Sequence, residues 1–326
     1  MQSFLDPAIL FFIFGIFAGT LKSNLEIPPQ ISRFLSLYLL MALGLKGGFA
    51  LAKSGLTTEV AVSLGGAITL AFAVPLLGYA LLRRFLNGFD AAAIAATYGS
   101  VSAVTFITTV QYLDTHQIAY GGHMAAAMAL MESPAIVLAV VLANMVRQRN
   151  AISDVGIGVG AGTSPSVNKI LHEALTDGAQ LLLLGAMLIG ILTGQSGQTA
   201  MQPFTGDLFK GMLAFFLLDM GLLAARNMSG LKGKSFWLLA YAIVGPLVHA
   251  SLALLLAVLT GMTPGNTALL MVLAASASYI AVPAVIRHAI PEANPSLYFG
   301  MSLGLTFPFN ILLGIPLYTA IAQRVL

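Results

Sequence analysis

The sequence predicts an all-α membrane protein of ten transmembrane helices in two inverted five-helix repeats, with crossing helices four and nine broken near their middles. Three observations predict it. Hydrophobic residues fill 58% of the 326 positions and charged residues 8%, against about 25% charged in a typical soluble domain, and mean hydropathy is +0.91. Ten apolar stretches approach the ~20 residues that a membrane-crossing helix needs. Landmarks of the first five recur in the second five: Ser100 and Ser102 with Ser276 and Ser278 at an offset of 176, Asp90 with Asn266 at 176, Gly44 with Gly221 at 177, and Pro134 with Pro308 at 174. Agreement among independent landmarks marks an internal repeat.

In order, the first stretch is short, Pro7 to Leu21, and stops against Ile27-Pro28-Pro29. It lacks a basic leader and a small-residue cleavage site, so it reads as a retained helix rather than a signal peptide. Ile31 to Leu51, Val60 to Leu82, Asp90 to Leu113 and Ile118 to Val146 complete the first repeat, residues 1–147. Residues 148–176 carry Gly156, Gly158 and Gly160 with Thr163-Ser164-Pro165-Ser166 and no apolar periodicity, which predicts a flexible linker. No Lys-Ser/Thr follows those glycines at the spacing of a phosphate-binding loop. The second repeat, 177–326, runs Gly178 to Thr193, Phe204 to Ala225, Phe236 to Thr260, Asn266 to Ile290 and Ser296 to Ala322.

Five crossings per repeat is an odd number, so the second copy enters the membrane from the opposite side. Eleven basic residues (Lys22, Arg33, Arg83, Arg84, Arg147, Arg149, Lys169, Arg226, Lys232, Lys234, Arg287) fall in loops on one side, against Lys53 and Arg324 on the other. The positive-inside rule then places both termini outside and the linker in the cytoplasm, across a cell inner (plasma) membrane. The net charge of +3 is scattered between apolar segments, which argues against nucleic acid. There is no cysteine, so disulfides and thiol chemistry are excluded.

The chemistry concentrates at the breaks. Gly99-Ser100-Val101-Ser102-Ala103 interrupts the fourth stretch, and Ala275-Ser276-Ala277-Ser278-Tyr279 the ninth. A polar break at that depth is costly unless it lines a cavity, and paired broken segments in two half-chains point to a transporter's binding site. Each second half-helix begins with unpaired N–H groups and partial positive charge, capped by serine. Two such starts facing each other make a small-anion site without arginine. The carbonyl ends of the first half-helices suit a hard cation such as sodium. Pro283 helps distort the ninth stretch, whereas the fourth relies on Gly99.

Glu132, in Met131-Glu132-Ser133-Pro134, is an acid well inside the fifth stretch, where carboxylates are rare and usually functional. Its repeat partner is Thr306, and Glu132, Thr306 and Asn310 together offer the oxygen ligands that sodium takes. Asp219 is the other intramembrane acid; it either binds a cation or pairs with Lys46, Lys210 or another subunit. His123 and His249 read as packing histidines or proton relays. No Gly-x-Ser-x-Gly or His-Glu-x-x-His occurs, so no enzyme is predicted.

Gly99-Ser-Val-Ser-Ala-Val-Thr-Phe106, Met131-Glu-Ser-Pro-Ala-Ile136 and above all Ala275-Ser-Ala-Ser-Tyr-Ile-Ala-Val-Pro-Ala284 resemble the SbtA-type sodium-dependent bicarbonate transporters. The resemblance extends over all ten stretches. It implies a sodium/bicarbonate symporter with a moving core (helices three to five and eight to ten) and a gate (one, two, six and seven). It further implies elevator-like motion, a homotrimer built through the gate, and room for a small trimeric regulatory protein on the cytoplasmic side. Its crossover segments map onto Ser100, Ser102, Ser276 and Ser278, with Tyr279 close by, and its ion-binding acid onto Glu132; Gly99, Ala103 and Ala277 beside the serines complete the expected anion site. The donors at the breaks would serve a small carboxylate equally well. A sodium- or proton-coupled carboxylate carrier is thus the alternative within transport, and a non-transporting membrane receptor the alternative outside it.

Overall fold

The structure is a computed structural model that describes residues 6–55, 57–153, 178–228, 231 and 233–326. Among these the fold is all-α, without strands. The helices are α1 Pro7–Thr20, α2 Pro29–Ser54, α3 Thr58–Leu82, α4 Gly88–Gly99, α5 Ala103–Thr115 and α6 Met124–Ser153 in the first half. The second half holds α7 Gly178–Gln202, α8 Leu208–Met228, α9 Phe236–Thr260, α10 Pro264–Ala275 and α11 Ala281–Ala289. It ends with α12 Pro295–Phe299, α13 Phe307–Phe309 and α14 Ile315–Val325, joined through π-helical turns Gly300–Thr306 and Asn310–Gly314. Seven helical stretches among the described residues are long and apolar enough to cross a membrane, and α1 and α10 are shorter apolar helices.

Local chemistry sets the boundaries. Asp6 caps α1 by accepting the Ala8 N–H at 2.8 Å, with Pro7 in the first turn. Asn87 caps α4 by accepting the Asp90 N–H at 2.8 Å. Gly261, at φ 69°, ends α9 in the left-handed conformation that glycine adopts freely. The apolar stretch expected to end at Thr193 does change direction there: Gly194 has φ 52° inside α7, and a π turn Pro203–Asp207 leads into α8. Two boundaries differ from the sequence reading. Helix α6 starts at Met124, leaving His123 in the preceding loop, and it runs on to Ser153, beyond the expected linker boundary at 147. The rest of that linker, with its glycines, lies outside the described residues.

The helices pack in matched pairs. Helix α1 lies along α8, and α2 along α7. At both crossings a landmark glycine lets the backbones touch. A Cβ on Gly44 would overlap the Leu183 carbonyl oxygen of α7, and one on Gly221 would overlap the Phe12 carbonyl oxygen of α1. Membrane helices, lacking a hydrophobic drive toward one another, associate through close approaches of this kind. The remaining helices group around α4 and α10: α3 packs on α4 and α6, α9 on α10, and α10 on α14. Residues Asp90 to Gly99 of α4 and Gly265 to Ala275 of α10 are buried on every side. By contrast α1 and α7 turn Phe14, Phe17, Leu188 and Leu192 outward. Helices apolar all round belong at the centre; helices with an outward apolar face belong against lipid.

Equivalent polar contacts tie the halves together. Asp90 Oδ1 accepts the Asn294 N–H at 2.7 Å, and Asn266, 176 positions on, accepts the Gly121 N–H at 2.6 Å. Each side chain thus sits at the start of a helix in one half of the chain and binds a loop of the other half. The Asn266 amide also donates to Glu59 at 2.8 Å. At the far end of α6, Arg147 makes a two-pronged pair with Glu292, at 2.8 and 2.7 Å.

Candidate functional site

Both expected interruptions are present: α4 ends at Gly99 and α5 starts at Ala103, while α10 ends at Ala275 and α11 starts at Ala281. The cause is local. Ser100 is extended (φ −93°, ψ −174°) and so is Ser276 (φ −80°, ψ 164°). Gly99 presses on the Pro75 ring of α3, where a Cβ would come to 2.6 Å. Ser102 then restarts the chain as a helix cap, its hydroxyl accepting the Thr105 N–H at 3.2 Å and the Thr105 hydroxyl at 2.9 Å. At α11 the cap position is Ile280 and has no side-chain bond, but the Ser278 hydroxyl accepts the Val282 N–H of its first turn at 3.3 Å.

The two breaks touch. The Ser102 N–H donates to Ser276 Oγ at 3.0 Å, and the Ser278 N–H donates to the Thr97 carbonyl at 2.8 Å. Ser100, Ser102, Ser276 and Ser278 are all buried. Beside this crossing lies a cavity of about 60 Å³. Its walls include Ser102, Ala103 and Val104 at the start of α5, Ser278, Tyr279 and Ala281 at the start of α11, and Glu132 with Gln180. Room for a water takes roughly 10–15 Å³, so the space suits a few waters or one small ion. Two helix starts bring partial positive charge to it, and Glu132 brings a carboxylate. Gly99, Ser100, Ser276 and Ala277, the other members of the expected anion set, form the crossing rather than the cavity wall.

Glu132 accepts a hydrogen bond from Gln180 of α7 at 2.8 Å. Sequence reasoning missed Gln180, which no motif marks; the one signal was an amide two residues into a membrane stretch. Thr306 and Asn310 do not join Glu132 at the cavity. Thr306 takes the Tyr98 hydroxyl at 2.6 Å and donates to the Ala242 carbonyl at 2.7 Å. Asn310 donates to the Ala275 carbonyl at 2.9 Å and accepts from the Tyr318 hydroxyl at 3.2 Å. Both therefore brace the broken helices from the last, π-wound segment. The carbonyl ends of α4 and α10 are similarly engaged, Ala96 by Ser100, Thr97 by Ser278 and Leu273 by Ser276.

The remaining polar candidates have other partners. Lys46 pairs with Asp114 of α5 at 3.2 Å, not with Asp219, and lies over the Phe209 ring. Asp219 is buried, and its Oδ2 has no hydrogen-bond partner among the described residues. His249 is buried, its ring edge-on to those of Tyr98 and Tyr241. His123 is held below the usual imidazole range by burial, with Glu59 pulling the other way. Among the described residues no cluster of three or more His, Cys, Asp or Glu side chains has the makings of a metal site.

With this geometry in hand, a family model described as the Na+-dependent bicarbonate transporter superfamily matches residues 7–323. No curated protein matches the chain.

Proposed function

The chain belongs to the Na+-dependent bicarbonate transporter superfamily, and we propose that it is a sodium-coupled symporter that binds bicarbonate between the two half-helix starts. One observation carries this reading: the starts of α5 and α11 line one small cavity at a crossing where the breaks bond directly to each other. Bicarbonate offers a negative charge and three oxygens to the hydroxyls of Ser102 and Ser278 and to the N–H groups of Ala103 and Tyr279. The cavity's size favours it over bulkier carboxylates.

Glu132 supplies the coupling. An anion about 4 Å from an ionised carboxylate meets a repulsion of ~4 kcal/mol at an effective dielectric near 20. A sodium ion between them converts that repulsion into two attractions. Sodium therefore enters as co-substrate on Glu132, with cavity waters and the Gln180 amide oxygen as further ligands. Thr306 and Asn310 keep the crossing in register. On this reading the ten-stretch inverted repeat divides as the packing does, α1, α2, α7 and α8 forming the gate and the rest the core. The core carries the site across by sliding against the gate, both termini facing outward from the inner membrane, and the gate helices build a trimer. The asymmetry of basic loop residues and the exposed apolar faces of α1 and α7 support this arrangement.

Purified protein in liposomes tests it. Labelled bicarbonate should accumulate under an inward sodium gradient and stop accumulating when choline replaces sodium. Uptake that ignores sodium would reject symport, and uptake of acetate in preference to bicarbonate would reject the substrate.

A further inference from the structure

A second, unrelated feature lies on the lipid-facing side, between α3 and α9. There a groove of about 370 Å³ runs past Leu77, Leu81, Tyr241, Val244, Val248 and His249. Leu77, Val244 and Val248 are about half exposed along it, so it opens toward the surroundings of the bundle. One end carries a shelf of aromatic rings: Phe85 stacks on Trp237 with centroids 5.8 Å apart, and Phe236 meets the same indole edge-on at 6.1 Å. Exposed Arg83 and Arg84 immediately precede Phe85, and Lys234 lies three residues before Trp237. Exposed tryptophan and phenylalanine beside arginines and lysine mark the level of lipid headgroups.

We propose that this groove seats an anionic phospholipid, with its headgroup phosphate at Arg83, Arg84 and Lys234 and one acyl chain along α3 and α9. The charge is complementary: Arg83 and Arg84 adjoin Phe85 and Lys234 lies near Trp237 in the chain, at the aromatic end of the groove, and no acid lines it. The inference goes beyond the transport reading and does not rest on it.

Trp237 is the only tryptophan in the chain and serves as the reporter. Full-length protein is reconstituted in phosphatidylcholine bilayers doped with either brominated phosphatidylglycerol or brominated phosphatidylcholine, and quenching of its emission is titrated. The glycerol lipid should reach half-quenching at a mole fraction at least ~5-fold lower, the effect of about one juxtamembrane cation. Arg83→Gln with Arg84→Gln should bring the two titrations together. Val244→Phe with Val248→Phe, both at lipid-exposed positions, should fill the groove and abolish the preference while the basic residues remain. Equal quenching by both lipids in the unaltered protein would overturn the proposal. A preference that survives the filled groove would also overturn it, because attraction to the headgroup alone would then suffice.

Discussion

At the first break the Ser100 hydroxyl is fully buried and has no hydrogen-bond partner among the described residues. Ser276, 176 positions on at the second break, accepts from Ser102 at 3.0 Å and donates to Leu273 at 2.9 Å. The two serines therefore respond oppositely to loss of the hydroxyl. Ser276→Ala strands the buried Ser102 N–H and should cost about 1–3 kcal/mol of stability, read as a lowered unfolding temperature in detergent. Ser100→Ala removes an unpaired group and should leave that temperature unchanged or raise it. Glu132 is tested differently. Glu132→Gln removes both the repulsion toward bicarbonate and the anchor for sodium, so anion binding should lose its sodium dependence and sodium-driven accumulation should fall at least tenfold. Calorimetric titration of bicarbonate with and without sodium reads this directly; unchanged sodium dependence in the variant would remove Glu132 from the coupling.

Among the helices, the break positions were legible because they depend on local chemistry: serines and glycine in apolar stretches, repeated at one offset. The glycine landmarks were legible for the same reason, and both fall at helix crossings where backbone meets backbone. Gly44→Leu should therefore push α2 off α7 and lower stability by more than the ~1–3 kcal/mol of ordinary overpacking, whereas Gly185→Leu, with open space at its Cβ, should be neutral. Thermal unfolding of the two variants side by side checks this. What the sequence did not reveal is long-range. The Gln180 bond to Glu132 and the Tyr98 bond to Thr306 join residues 48 and 208 positions apart and leave no periodic trace. Thr306 and Asn310 looked like ion ligands because their composition fits sodium, but the π turns of the last segment aim them at the Ala242 and Ala275 carbonyls. The α6 extension to Ser153 runs through polar residues that hydropathy alone assigns to a loop.

For the whole molecule, the question is whether α1, α2, α7 and α8 move as a unit against the rest. Lys46 of α2 and Asp114 of α5 bridge the two groups at 3.2 Å, a partly exposed pair worth at most about 1 kcal/mol and so easily broken during a cycle. Because the chain has no native cysteine, Lys46→Cys with Asp114→Cys gives a clean crosslinking pair. Bridging the thiols should stop uptake and a reductant should restore it; full uptake with the bridge intact would refute relative motion at this contact. The proposed function rests on two broken helices sharing one anion site. It is tested most directly by the initial rate of sodium-driven bicarbonate uptake in proteoliposomes containing Ser102→Ala with Ser276→Ala, at equal amounts of folded protein. Uptake at the level of protein-free liposomes is expected, and a rate equal to that of the unaltered protein would rule out the shared site.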